Sequence, residues 1–68
     1  MSYLLIQSNA KYFLPIMDSI GKRGIVFSWN SNDYSILIEG TDNINKVKNI
    51  WDIIKNGIDY YKEGAEES

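Results

Sequence analysis

The hydrophobic pattern changes period along the chain. Over residues 3–7 (YLLIQ) apolar side chains follow one another without alternation, which predicts a first strand that is central or covered. Phe13, Ile16, Met17 and Ile20 then recur at three- and four-residue steps, the period of a helix, placed over residues 11–20. Ser8 and Asn9 each supply an acceptor for an orphan N–H at its start. Pro15 lacks an N–H and disfavours helical geometry at Leu14, so a late start or a kink is expected. Gly21 follows the last periodic residue as a left-handed C-cap, and Lys22 and Arg23 bring positive charge to the negative end of the helix dipole.

Two β-rich runs come next, residues 25–30 and 34–39, around the polar tip Ser31, Asn32 and Asp33, whose side chains hydrogen-bond their own backbone in tight turns. A tip at Ser31 and Asn32 pairs Trp29 with Tyr34, Phe27 with Ile36 and Ile25 with Ile38. All six then share one face, which is expected to turn inward. The opposite face carries Val26, Ser28, Ser35, Leu37 and Glu39. After Gly40, the residues Thr41, Asp42 and Asn43 offer N-caps for a second helix over residues 43–62. Ile44, Val47, Ile50, Trp51, Ile54, Ile58 and Tyr61 form one stripe along it. Lys48 with Asp52 and Lys55 with Asp59 are opposite-charge neighbours on its wet side. Gly57 weakens this helix by roughly 1 kcal/mol relative to alanine, so a bend or fraying is expected there.

The order β-α-β-β-α predicts an α+β two-layer sandwich, a three-stranded antiparallel sheet with strand three between one and two and both helices on one face. In topology alone this resembles the ferredoxin-like order lacking its last strand. Residues 1–63 are read as a single domain and residues 64–68 as an acidic disordered tail.

Composition narrows the chemistry. With 68 residues, 44% of them hydrophobic, the chain forms one small core and lies far from the composition of disordered proteins. Cys and His are both absent, which removes disulfides, thiolate and imidazole metal sites, cysteine nucleophiles and the commonest general base. Catalytic, cofactor-binding and metal-binding residues are all expected to be absent. Glu39 and Asp42 flank one turn as a carboxylate pair, but no third acid converges on them, so capping and solvation explain them better than Mg²⁺ or acid/base chemistry. Gly21 and Gly24 lack the spacing of phosphate-binding loops. A net charge of −2 creates no global attraction to nucleic acid or anionic lipid. The N-terminal apolar run is too short for a signal peptide or a membrane span, and a cytoplasmic location is expected.

Two surfaces remain uncovered in this arrangement. Tyr3, Leu5, Val26 and Leu37 fall together on the bare face of the sheet, and strand one offers an unpaired edge without the charge, proline or bulge that usually protects one. Both point to a partner or dimer interface. The spacing of Ile44, Val47, Trp51, Ile54, Ile58 and Tyr61 also matches a coiled-coil seam, although packing on the sheet demands the same spacing. Lys11, Lys22 and Arg23 form a candidate basic corner for nucleic acid. The sequence therefore reads as a non-enzymatic protein–protein interaction module, a homodimeric small inhibitor or regulator of the kind viruses and mobile elements encode, with no cofactor, membrane or small-molecule substrate. The alternative is a single-stranded nucleic-acid-binding regulator using the open sheet face, which solvation of Phe27, Trp29 and Tyr34 would favour.

Overall fold

The apolar N-terminal run becomes β1, Ser2–Ser8, and lies inside the sheet, not at its edge. The computed structural model describes residues 1–65 and shows α1 at Phe13–Gly21, β2 at Ser28–Asn30, β3 at Ser35–Glu39, α2 at Thr41–Asn49, α3 at Trp51–Ile54, a 3₁₀ turn at Lys55–Gly57 and β4 at Ile58–Ala65. The fold is α+β, with an antiparallel four-stranded sheet in the order β2-β3-β1-β4. That is the ferredoxin-like order complete, with the strand that the sequence reading lacked supplied by β4. Strand three does lie between one and two. Strand β4 extends to Ala65, two residues beyond the expected domain boundary, and the rest of the acidic tail lies outside the described residues.

The long second helix is the main correction. Its stripe runs unbroken from Ile44 to Tyr61 in sequence, yet the helix stops at Asn49, resumes for one turn and ends before Gly57. A helix over residues 43–62 would be about 30 Å long against about 23 Å for β1, so its last turns would overhang the sheet. Pairing Ile58–Ala65 with β1 instead satisfies the backbone groups of β1 and removes its open edge. The coiled-coil reading falls with the helix. The expected Lys48–Asp52 and Lys55–Asp59 pairs are replaced by Lys48–Glu63 at 2.8 Å and Lys55–Asp52 at 3.4 Å.

Gly57 is required for this turn. A Cβ there would lie 2.4 Å from Tyr12 Cβ, a distance real carbons do not reach, so the glycine permits close approach of two backbones. The Gly57 carbonyl accepts the Asn9 N–H at 2.9 Å, and Asn9 Oδ1 accepts the Tyr12 N–H at 3.0 Å. Asn9 therefore closes the turn that leads into α1, whose N-cap is Tyr12 with no side-chain cap bond, and the Ser8 hydroxyl turns away and donates to the Tyr34 carbonyl at 3.3 Å. Helix α1 starts two residues later than residue 11, which places Pro15 in its first turn, where a missing N–H costs nothing. At the other end Gly21 stays helical and Gly24 takes the left-handed conformation, φ +75°. The Ile25 N–H bonds the Ile20 carbonyl at 3.4 Å and the Gly24 N–H the Gly21 carbonyl at 3.0 Å, a Schellman ending that buries Ile20 and Ile25 together.

The hairpin keeps its predicted faces but not its register. Trp29 pairs with Ile36, Ser28 with Leu37 and Asn30 with Ser35, each two residues from the expected partner. The loop is longer than the expected two-residue tip and runs from Ser31 to Tyr34, with Tyr34 left-handed at φ +58°. Of the three turn residues expected to bond the main chain through their side chains, Asp33 does so, its Oδ1 accepting the Ser35 N–H at 3.1 Å, and Asn30 at the end of β2 adds a second such bond, its Oδ1 accepting the Asn32 N–H at 2.9 Å. A shift of two preserves which side each residue faces, so Trp29 and Ile36 still point toward the helices. Leu4, Ile6, Ile36 and Ile38 of the sheet meet Phe13, Ile16, Ile20, Ile44, Val47 and Ile54 of the helices, and Ile50 between α2 and α3, in one buried cluster.

Residues 25–27 do not join the ladder as expected: β2 begins at Ser28. Ile25 is buried and Phe27 half-buried against the core, but the backbone here is held by the Asn43 side chain. Its Oδ1 accepts the Val26 N–H at 3.4 Å and its Nδ2 donates to the Glu39 carbonyl at 3.1 Å. None of Thr41, Asp42 and Asn43 is the N-cap, which is Gly40 at φ +91°. Replacing Asn43 with leucine removes both bonds from a half-buried site, and we expect a loss of about 1–2 kcal/mol in urea unfolding, accompanied by faster amide exchange at Val26.

Candidate functional site

With the three helices on one face, the opposite face of the sheet is open. Register alone places its residues in rows. One row holds Gly64, Tyr3 and Glu39, the next Lys62, Leu5, Leu37 and Ser28, and the third Tyr60, Gln7, Ser35 and Asn30. Leu5 and Leu37 are direct cross-strand neighbours at the centre, and both remain half-buried without a covering layer. Tyr3 leans over the neighbouring strand: a Cβ at Gly64 would lie 2.8 Å from its Oη and 3.0 Å from its Cζ. The phenol thus takes the space that Gly64 leaves empty, a cross-strand cover for an edge glycine. Gln7 is anchored at the rim, its Nε2 donating to the Asp33 carbonyl at 3.2 Å.

Three of the four expected interface residues, Tyr3, Leu5 and Leu37, are brought together on this face. Val26 is not among them in the ladder. It lies before β2, 72% exposed, with its backbone tied to Asn43. The other expected interface, the open edge of β1, does not exist, because β3 and β4 flank that strand. Sequence reasoning missed Tyr60 and Lys62, which it had assigned to a helix. The local hint of a strand there is Asn56-Gly57, a turn dipeptide, followed by the β-rich run Ile58, Asp59, Tyr60, Tyr61, which fits the helical stripe equally well.

The aromatic side of the hairpin has a different role from either expectation. Phe13 is buried, and the rings of Trp29 and Tyr34 meet it edge-on at centroid distances of 6.4 Å and 5.5 Å. These rings rim the helix layer and remain 58% and 38% exposed. They face away from the open side, so they form no stacking platform there. Tyr34 holds its strained backbone because its carbonyl accepts both the Ser8 N–H at 2.9 Å and the Ser8 hydroxyl while its ring packs on Phe13.

The three candidate cations are not gathered into one corner. Lys11 precedes α1, with its Nζ 5.5 Å from the centroid of the Tyr12 ring, whereas Lys22 and Arg23 follow the opposite end of the helix. Arg23 Nη1 donates to the Ser19 carbonyl at 2.8 Å and so caps the helix end. On the helix side, a cleft of about 320 Å³ is lined by Leu4, Lys48, Trp51, Tyr61 and Glu63. The Trp51 and Tyr61 rings meet edge-on at 5.0 Å, and the half-exposed Lys48–Glu63 pair beside them fastens β4 to α2 with about 0–1 kcal/mol.

Glu39 and Asp42 stand on β3 and in the first turn of α2, and among the described residues no group of three or more Asp and Glu is placed to hold a metal ion. Among those residues no helix is long and apolar enough to cross a membrane. Comparison of the chain with protein-family models, with curated proteins and with solved structures finds no match.

Proposed function

We propose that this protein is a non-enzymatic protein-binding module and that the open face of its sheet is the binding surface. The observation that carries the reading is the Leu5–Leu37 pair, half-buried at the centre of a face that no layer covers, with Tyr3 and Tyr60 beside it and polar Gln7, Ser28, Ser35 and Asn30 around it. An apolar centre within a polar rim is the anatomy of a protein interface. Aromatic residues are enriched in such centres because they contribute large area with little loss of conformational freedom. The absence of Cys and His supports a binding role over a catalytic one. A small cytoplasmic regulator or inhibitor, acting by occupying a protein partner, is the role consistent with these features.

Single-stranded nucleic acid is the weaker occupant. Tyr3, Tyr60 and Lys62 share the face, but Glu39 is the direct neighbour of Tyr3 there, and Lys11, Lys22 and Arg23 stand off it at the two ends of α1. An anionic backbone crossing the sheet would meet one cation and one anion.

The two occupants separate with one variant. Leu5→Lys adds a cation to the face without touching the core. Loss of a specific partner captured from cell extract, with the circular dichroism spectrum unchanged, is the result expected for a protein-binding face. A gain in affinity for an oligonucleotide at low salt, falling steeply as salt rises, would instead identify a nucleic-acid surface.

A further inference from the structure

Charge on the open face is arranged about its apolar centre in a way that fits the face to itself. Glu39 lies one strand to one side of β1, in the row of Tyr3, and Lys62 one strand to the other side, in the row of Leu5. The two opposite charges are therefore equidistant from the stretch of β1 between Tyr3 and Leu5. With strands about 4.8 Å apart and about 3.4 Å per residue, a two-fold axis lying in the plane of the face brings Glu39 over Lys62 only if it crosses β1 at that point, inclined roughly 35° to the strand.

The same axis then sets Leu5 of one copy beside Leu37 of the other, and the strands of the two sheets cross at roughly 70°, near the orthogonal class of sheet packing. The apolar pair and the charges are satisfied by one operation. We propose that the occupant of the open face is a second copy of this chain, packed face to face, with Glu39 of each copy on the partner's Lys62 and Leu5 on the partner's Leu37. This rests on the reading of the open face as a protein-binding surface and names its partner.

Area places the pair among weak, transient interfaces. The face spans roughly 300 Å² in projection, so the pair covers roughly 600 Å², below the ~1,200 Å² at which specific interfaces become stable. Association is expected in the micromolar range, with exchange between monomer and dimer.

The test is sedimentation velocity from about 10 μM to about 1 mM, a range that brackets such an affinity. Wild-type protein is expected to pass from monomer to dimer over it. Glu39→Lys and Lys62→Glu each turn two attractive contacts into two repulsive ones and are expected to weaken association at least about tenfold. Both substituted residues are exposed, so both variants keep the wild-type circular dichroism spectrum. An equimolar mixture of the two single variants is expected to recover the dimer, because each charge again meets its opposite, and the double variant Glu39→Lys/Lys62→Glu recovers it for the same reason.

Wild-type protein that is monomeric at about 1 mM overturns the proposal, as does undiminished association of either single variant or failure of the mixture to associate. If the wild type is monomeric while Leu5→Lys abolishes capture of a different protein, the second copy is the wrong occupant and the protein-binding face stands. If neither self-association nor a Leu5-dependent partner is found, both fall.

Discussion

Gly57→Ala is expected to lower stability by about 3 kcal/mol, a large part of what a domain of this size has. Its Cβ would lie 2.4 Å from Tyr12 Cβ, 2.8 Å from Tyr12 Cγ and 3.0 Å from Ile16 Cδ1. The nearest of these, Tyr12 Cβ, is fixed by its own backbone, and no rotamer change moves it away. Separation of the two segments would also strain the bond from the Asn9 N–H to the Gly57 carbonyl, 2.9 Å, and with it the turn that leads into α1. At about 4–8 °C per kcal/mol, the melting temperature should fall by roughly 12–24 °C in a thermal scan followed by circular dichroism. Gly21→Ala makes the contrast. Its Cβ would meet only Phe27 Cε1, at an ordinary 3.8 Å, in a residue that is already helical. That variant is expected to gain about 0.5–1 kcal/mol. Equal effects at the two glycines would contradict the close approach of the 3₁₀ turn to the start of α1.

Ile6→Ala is expected to cost about 3 kcal/mol and Leu5→Ala about 1 kcal/mol, although the residues are adjacent on the same strand. Ile6 is fully buried, flanked by Ile36 on β3 and Tyr61 on β4 beneath the helices, and deleting its outer carbons leaves a cavity that the stiff neighbouring strands cannot close. Leu5 stands on the open side, half-buried, where water fills the space at no such penalty. Urea unfolding of the two variants measures the difference directly. A larger loss at Leu5 than at Ile6 would mean that the helices cover the other face, and the binding surface inferred above would then be the core.

The periodic parts of the chain were legible because burial of one face imposes them locally. YLLIQ, the α1 stripe ending at Ile20 and the two hairpin strands each declare their type within a few residues, and side-chain alternation assigns Trp29 and Ile36 to the helix side whatever the register. Leu5, Leu37 and Tyr3 followed from the same alternation, which is why most of the candidate surface was visible in advance. Tyr60 and Lys62 were not. Ile58 and Tyr61 satisfy both a helical stripe and a strand, and local spacing offers no way to choose between them.

What the sequence by itself determined is therefore the two-layer α+β arrangement, the inward side of each early element and a chemistry without thiol or imidazole. The tertiary structure alone decided the fate of residues 50–65, the hairpin register and hence the edges of the sheet. The physical reason lies in distance along the chain. Whether residues 58–65 coil or extend depends on the unpaired backbone of β1, some fifty residues earlier, and on the approach of Gly57 to Tyr12; neither is encoded in the spacing of the segment itself.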